Sequence, residues 1–240
     1  LEAKNSGVNS YSEIILGLPG DSKEAHFATI MKIMNAGFNI ILPWQLMILP
    51  GSELGSEKSV KEFGMVLRHR VLPRCFGHFS TLGENIVCAE IEEVCVENNT
   101  LSFEDYLECR RLNLFVAIFY NDAIFSSLLK LFRILGASPF KWVQIMMDTN
   151  LEPSLDKIVS EFKQATADEL WDDRNELDEY TRNLETVQRY IDGELGRNNL
   201  FYYRTLAITQ QIDLLSELAK KAAMKLLTKE LKDNPFLIKF

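Results

Sequence analysis

Two apolar runs that end in the same Leu-Pro-Gly turn constrain the fold of this chain most strongly. Residues 14–16 (IIL) lead through Gly17 into LPGD, and the apolar run 38–49 leads into LPGSE. A segment that is apolar on both sides is typical of a strand in a parallel sheet covered by helices. With a helix between the two runs, the sequence predicts a right-handed βαβ unit, which would fit an open doubly wound sheet or a barrel.

The helix between the runs has start and stop signals of its own. Asp21 is the expected N-cap, and Glu24 three residues later would complete a capping box. Gly37 is expected to end the helix. Its apolar residues keep the spacing of one buried face: Phe27, Ile30, Met31 and Met34.

The remainder of the chain changes character twice. A short helix is predicted over residues 57–63, a strand from 65 to 71 that Pro73 ends, and a second strand from 86 to 96. Beyond Ser102 the sequence is mostly helical. The predicted fold class is therefore α+β, mostly α. The predicted domains are an N-terminal βαβ unit, which the family resemblance described below implies is a piece of a (βα) barrel, a β-containing connector and a helical C-terminal domain, at residues 1–55, 56–100 and 101–240.

Two long amphipathic helices are expected near the C-terminus. The apolar residues that repeat at three–four spacing in the first are Leu177, Tyr180, Leu184, Val187 and Ile191. Those in the second are Ile208, Ile212, Leu215, Ala219, Ala222 and Leu226. Core packing explains such stripes better than a cofactor site. Because Gly193 and Gly196 separate the helices, an antiparallel helical hairpin is predicted.

Composition excludes several classes of function. The net charge of −8 argues against broad nucleic-acid binding. Arginines 68, 70 and 74 are interpreted as a surface or ion-pair feature. No apolar run approaches the roughly 18 residues of a membrane span, and no export signal is recognisable, so a cytoplasmic protein without a membrane partner is expected.

The four cysteines predict reduced thiols rather than a metal site. Cys75 and His78 form a Cys-x-x-His pair, but no second pair stands at the spacing of a zinc site. Cys88, Cys95 and Cys109 are expected to behave as small apolar residues. We predict no metal ligand in this chain.

The Leu-Pro-Gly turns and Gln45 are the candidate binding features. Gly17 and Gly20 would let a ligand approach the backbone, and the following helix would offer N–H groups to an anion. Gln45 lies inside an apolar run, where a buried amide needs a hydrogen-bond partner, either protein or ligand. No hydrolase triad, HExxH motif or Walker loop is present, and no catalytic residue is predicted.

Residues 12–22, SEIILGLPGDS, closely resemble the late-barrel strand motif of radical S-adenosylmethionine (radical SAM) enzymes, often written ILGLPGET or ILGLPGDT. Residues 40–54, which end in LMILPGSEL, resemble the last barrel strand and its exit loop. Residues 70–74 (RVLPR) and 102–106 (SFEDY) are similar to the branch with an upstream cobalamin-binding domain. The resemblance rests mainly on residues 12–54.

The resemblance implies S-adenosylmethionine and a four-iron four-sulfur cluster as cofactors of the parent protein, with cobalamin a further candidate. By position it implies cofactor-binding roles for Ile15 and Gly17, with Leu49 and Pro50 as candidates from the last strand. Together with Pro19 and Gly20 of the first turn and with Gln45, these are the predicted cofactor-binding residues. The cluster-binding CxxxCxxC, the early glycine-rich motif and any cobalamin motif are absent from these 240 residues. The chain is therefore expected to be a C-terminal part, inactive alone and without bound cofactor.

A truncated barrel has a consequence for assembly. Two of its strands would expose an edge that the missing N-terminal part of the parent normally pairs. We expect the isolated chain to cover that edge by homodimerisation or by rearranged packing. Two alternatives remain open at this stage: a helical docking or dimerisation module without catalysis, and a βα protein that binds a small molecule or anion without radical chemistry.

Overall fold

The computed structural model describes residues 9–121 and 123–233, which form a mixed α/β fold that is mostly helical. Its small sheets do not close into a barrel. The strands are β1 (Tyr11–Leu16), β2 (Ile40–Gln45), β3 (Met47–Ile48), β4 (Val66–Thr81) and β5 (Glu84–Glu97). The helices are α1 (Lys23–Ala36), α2 (Glu57–Phe63), α3 (Phe103–Val116), a π-helical turn (Ala117–Asn121), α4 (Ser126–Leu135), α5 (Pro139–Met147), α6 (Pro153–Asp168), α7 (Arg174–Thr181), α8 (Leu184–Ile191) and α9 (Asn199–Asp233).

The N-terminal unit is a parallel β1–α1–β2 arrangement, as the two apolar runs predicted. Its register runs from Tyr11 opposite Ile40 to Leu16 opposite Gln45. The predicted cap of α1 is wrong by one residue, because the Ser22 side chain accepts the Ala25 N–H. The Asp21 carboxylate instead accepts hydrogen bonds from two backbone N–H groups, that of Gly17 before the Leu-Pro-Gly turn and that of Ser22 after it.

The apolar run 38–49 was predicted to be one strand, and that prediction is wrong, because the run contributes strands to two sheets. β2 pairs with β1, whereas β3 pairs antiparallel with β5. Leu46 joins the two sheets, since its N–H donates to Leu16 O and its carbonyl accepts from Cys95 N. The run is apolar throughout because its two halves pack against different neighbours.

The long hairpin β4–β5 replaces the short connector strands. β5 contains the predicted strand 86–96, but β4 continues past Pro73, so the prediction that Pro73 ends it is wrong. The ladder is irregular between Val71 and Phe76, and a proline is tolerated where such an irregularity removes the need for a ladder N–H.

The helical region has a closed core around Trp142. This side chain is fully buried, and its indole N–H donates to Ala219 O at 2.9 Å. Phe119, Phe125 and Phe132 pack edge-on against it. α9 lies on α5 and α6, and most of its predicted apolar stripe packs in the core, whereas Ile212 is 39% exposed.

The predicted helix through residues 177–191 is in fact two helices. Asn183 interrupts it and caps α8 by accepting from Glu185 N and Thr186 N. Both helices pack on the β4–β5 hairpin, and the predicted antiparallel hairpin with α9 is therefore wrong. The two helices pack on the β4–β5 hairpin, an apolar surface that could not be predicted from the spacing of residues in the sequence.

Among residues 9–121 and 123–233, no single helix is both long enough and apolar enough to span a membrane. The segments Phe103–Asn121 and Ser126–Leu135 reach that length and hydropathy only when taken together, across a 90° bend. Most side chains of α3 are buried in the protein.

Candidate functional site

A cavity of about 590 Å³ runs along the whole of β2 and reaches the carboxyl ends of β1 and β2 at Ile15 and Gln45. The base of the hairpin, α3 and the start of α9 complete its walls. The apolar side chains among its lining residues are Ile15, Ile40, Ile41, Leu42, Pro43, Trp44, Leu46, Met47, Leu49, Leu72, Pro73, Ala117, Leu200 and Phe201. The charged ones are Arg70, Glu92, Arg110, Glu169, Arg197 and Arg204. Ligand sites of α/β folds commonly lie at this end of the strands.

Three residues predicted to bind a cofactor line this cavity: Ile15, Gln45 and Leu49. Ile15 and Leu49 are unusually exposed for apolar residues, at 45% and 57%. Gln45 has a protein partner, because its Nε2 donates to Tyr106 Oη at 2.5 Å. That hydrogen bond orients the amide, which is a polar group in a largely apolar lining.

The remaining predicted residues lie outside the cavity lining. Gly17 has a φ of 96°, and a side chain there would lie 3.1 Å from Cys95 O. Its carbonyl and that of Leu18 accept from Asn98 Nδ2. Pro19, Gly20 and Pro50 belong to the same two turns, whose geometry is held by protein groups. Their cofactor roles stay predictions.

A buried ion cluster forms the polar floor of the cavity. Arg70 Nε donates to Glu92 Oε1 at 2.5 Å, and Arg70 Nη1 donates to Glu169 Oε1 at 2.6 Å. Burial opposes the charged guanidinium, but the charges of Glu169 and Glu92 outweigh burial and raise the pKa of Arg70. Asn199 Nδ2 donates to the second oxygen of Glu169 at 2.9 Å. The interpretation of Arg70 as an ion-pair residue is confirmed.

Arg110 is the second buried cation of this floor. Only 5% of the residue is exposed, and its Nε has no hydrogen-bond partner within the described ranges. Its guanidinium carbon lies 5.7 Å from the centre of the Phe162 ring. Burial lowers the pKa of Arg110, while Tyr106 and Glu169 act in the opposite direction. An arginine nevertheless stays charged in proteins, so this site carries a fixed positive charge.

Two further arginines stand where α9 begins. Arg197 Nε donates to Gly193 O at 2.5 Å, and its guanidinium lies over the Tyr202 ring at 4.5 Å. Arg204 lies 5.9 Å from the centre of the Phe201 ring. Four arginines and two glutamates therefore line the cavity, a local excess of two positive charges in a chain of net charge −8.

The described part of the chain contains no group of side chains that could hold a metal ion, and its two buried thiols are protonated. Across 9–121 and 123–233, no group of three or more His, Cys, Asp or Glu side chains could hold a metal ion, and Cys75 and His78 belong to none. Burial raises the pKa of Cys95 to about 11 and that of Cys109 to about 12, which keeps both thiols protonated. Burial likewise lowers the pKa of His26, whose Nε2 contacts Asn113 Oδ1 at 3.0 Å.

The sequence interpretation missed Arg110, Glu169, Arg197 and Arg204 as cavity residues. One signal was available in α3. Tyr106, Arg110 and Asn113 are spaced by four and three residues, and this spacing places them on one face of α3, where all three are buried. A polar row on a buried helix indicates either an internal network or a site.

No family model and no curated protein matches this sequence. The arrangement must therefore be interpreted from its own residues. Its walls would accept an apolar body of moderate size, and its floor carries fixed positive charge beside paired carboxylates.

Proposed function

We propose that this chain is the C-terminal portion of a radical SAM iron–sulfur enzyme, supplying barrel strands and one wall of the S-adenosylmethionine site. In the intact parent, the cluster and S-adenosylmethionine would generate a 5′-deoxyadenosyl radical that abstracts hydrogen from a substrate. The same proposal includes a cytoplasmic location and, for the narrower branch, an upstream cobalamin-binding domain. The chain alone is expected to be inactive.

The edges of the β1–β2 pair carry this proposal. The Asn121 side chain closes the outer edge of β2, since its Oδ1 accepts from Ile41 N at 2.9 Å and its Nδ2 donates to Ile41 O at 2.7 Å. The outer edge of β1, in contrast, pairs with no strand of the described chain. The open edge of β1 is what the next-to-last strand of a barrel would present to the strand before it. The closed edge of β2 fits a partial barrel, in which the last strand does not pair with the first.

The cavity supplies suitable residues for S-adenosylmethionine. Ile15 and Leu49 present apolar surface at the strand ends, where the resemblance expects the adenine side of the cofactor. The Gln45 amide, held by Tyr106, would add a hydrogen-bonding group. These side chains would bind and orient the cofactor and exclude water from it.

The described residues do not fit an iron–sulfur cluster, because they contain no metal-ligating group. Under this proposal the cluster ligands belong to the missing N-terminal part of the parent, which is also the partner of the open β1 edge. No step at the cluster is assigned to the present chain.

The test uses the longer parent protein, reconstituted with iron and sulfide without oxygen. We expect bound iron and S-adenosylmethionine-dependent formation of 5′-deoxyadenosine. Ile15→Glu should lower that formation at least about tenfold at limiting S-adenosylmethionine, because it places a charge against the cofactor. Bound iron should not change.

Leu18→Glu is the matched control. Leu18 has a similar exposure, 42%, but its side chain lies in the turn and does not line the cavity. It should leave the activity within about twofold. A parent that forms no 5′-deoxyadenosine, or equal losses in both variants, would reject the proposal.

One observation favours the docking module as a second candidate. The apolar spacing predicted for residues 177–191 includes the buried Leu177 and Val187. It also includes Leu184 and Ile191, which are 46% and 44% exposed in the structure. Leu184→Glu and Ile191→Glu should then abolish assembly without unfolding the chain. Ile134→Glu, at an 80% exposed position on α4, is the control. Unchanged assembly in the two stripe variants would exclude this candidate.

A further inference from the structure

We propose that the cavity binds a carboxylic acid with an apolar body, and that Arg110 holds its carboxylate. The inference starts from a buried cation without a hydrogen-bond acceptor. Arg110 lines the cavity, is 5% exposed, and its Nε has no partner in the described chain. Buried polar groups are nearly always hydrogen-bonded, and an arginine cannot escape by losing its proton. A ligand that enters the cavity can supply the acceptor.

Three of the four oxygens of the two neighbouring carboxylates already accept hydrogen bonds from other residues. Glu92 Oε1 and Glu169 Oε1 both accept from Arg70. The second oxygen of Glu169 accepts from Asn199. Phe162, on the other side of Arg110, offers only the face of its ring. The planar guanidinium is suited to pair with a carboxylate through two parallel hydrogen bonds.

The charge of the cavity indicates a monoanion. Glu169 is close enough to act on the ionisation of Arg110, so a second negative charge on the ligand would meet repulsion from that carboxylate. The lining residues have an excess of two positive charges, which attracts anions in general. A single carboxylate meets less repulsion from Glu169 than a phosphate dianion would.

The walls indicate an apolar body. Leu200 and Phe201 at the start of α9 line the same cavity as the strand residues Trp44 and Met47. Trp44 and Phe201 are about half exposed, at 51% and 50%, and this is apolar surface that a ligand would remove from water. This inference does not depend on the proposed function, because it requires neither S-adenosylmethionine nor a cluster.

The test compares two probes that differ only in charge, 4-phenylbutyrate and 4-phenylbutanamide, in titrations with the 240-residue chain. Binding is followed by calorimetry and by Trp44 fluorescence, with Trp44→Phe to assign the signal. We expect the carboxylate to bind at least about tenfold more tightly than the amide. Equal affinity, or no binding of either probe, would overturn the proposal.

Variants then locate the charge that selects the carboxylate. Arg110→Met should reduce the preference to less than about twofold, while Arg110→Lys should keep part of it. Circular dichroism checks folding, and if Arg110→Met does not fold, Arg110→Lys decides by a weakened preference. Arg182→Met is the control, since this side chain is 76% exposed and pairs with Asp178. A preference that survives in both Arg110 variants but is lost in Arg204→Met would contradict the assignment.

Discussion

The parallel β1–β2 pair and the helical core bury apolar surface in different ways. One face of the pair packs on the core through Ile14 and Ile41, while the opposite face leaves Ile15 and Trp44 exposed at the cavity. The helical core leaves no such open face around Trp142, which is enclosed on all sides.

The difference separates stability from binding. A closed aromatic core stabilises the fold, because every methylene removed from water contributes and no ligand has access. A half-covered strand pair contributes less to stability and instead offers surface to a ligand or to further strands. The ion cluster of Arg70 is buried and also lines the cavity, so we expect it to contribute to both stability and binding.

The largest effect should follow from opening the closed core. Trp142→Ala removes a fully buried side chain and its hydrogen bond to Ala219, and should lower the free energy of unfolding by about 3–5 kcal/mol. Trp44→Ala, at a 51% exposed position, should cost less than about 1 kcal/mol. Urea unfolding of both variants measures the contrast, and similar losses would show that the two regions do not differ as described.

A smaller loss of stability should follow from removing Arg70, the buried cation of the cavity floor. Arg70→Met leaves Glu92 and Glu169 buried without their partner and should cost about 3 kcal/mol. Adding Glu169→Gln to this variant should restore part of the loss, because one uncompensated charge disappears. Arg182→Met, in an exposed pair, should change stability by less than about 0.5 kcal/mol in the same unfolding experiment. Equal changes in the free energy of unfolding for Arg70→Met and Arg182→Met would mean that the buried ion cluster does not stabilise the fold.

The smallest effect on stability is expected at the open edge. Tyr11→Lys and Ile15→Lys place charges on 65% and 45% exposed positions and should change the free energy of unfolding by less than about 0.5 kcal/mol. They should nevertheless convert a homodimer into a monomer, since charged side chains oppose edge pairing. Sedimentation measures the mass, with Ile134→Lys on α4 as the control. A wild-type chain that sediments as a folded monomer would remove the basis for this prediction.

Local signals predicted the N-terminal unit well. The Gly37 stop of α1 is confirmed by a left-handed φ of 80°, which glycine adopts without steric cost. The strand runs and the helix between them follow from periodicity alone. The change of sheet at Leu46 did not, because an apolar run has the same appearance whether it faces one sheet or two.

The polar floor of the site could not be derived in the same way. The partners of Arg70 lie 22 and 99 residues away in sequence, and no local spacing brings Glu169 to it. Only the chain path that returns α6 to the hairpin base creates the cluster. Gln45 was recognised because a lone amide in an apolar run is conspicuous, but its partner Tyr106 is contributed by a helix 61 residues away.

The central claim is that β1 and β2 are the last strands of a radical SAM barrel, and the coding sequence upstream of Leu1 tests it most directly. A barrel of ordinary size places its first strand within about 200 residues before these two. We predict a CxxxCxxC motif within that distance, after a first apolar strand. An upstream sequence of that length without the motif would contradict the claim.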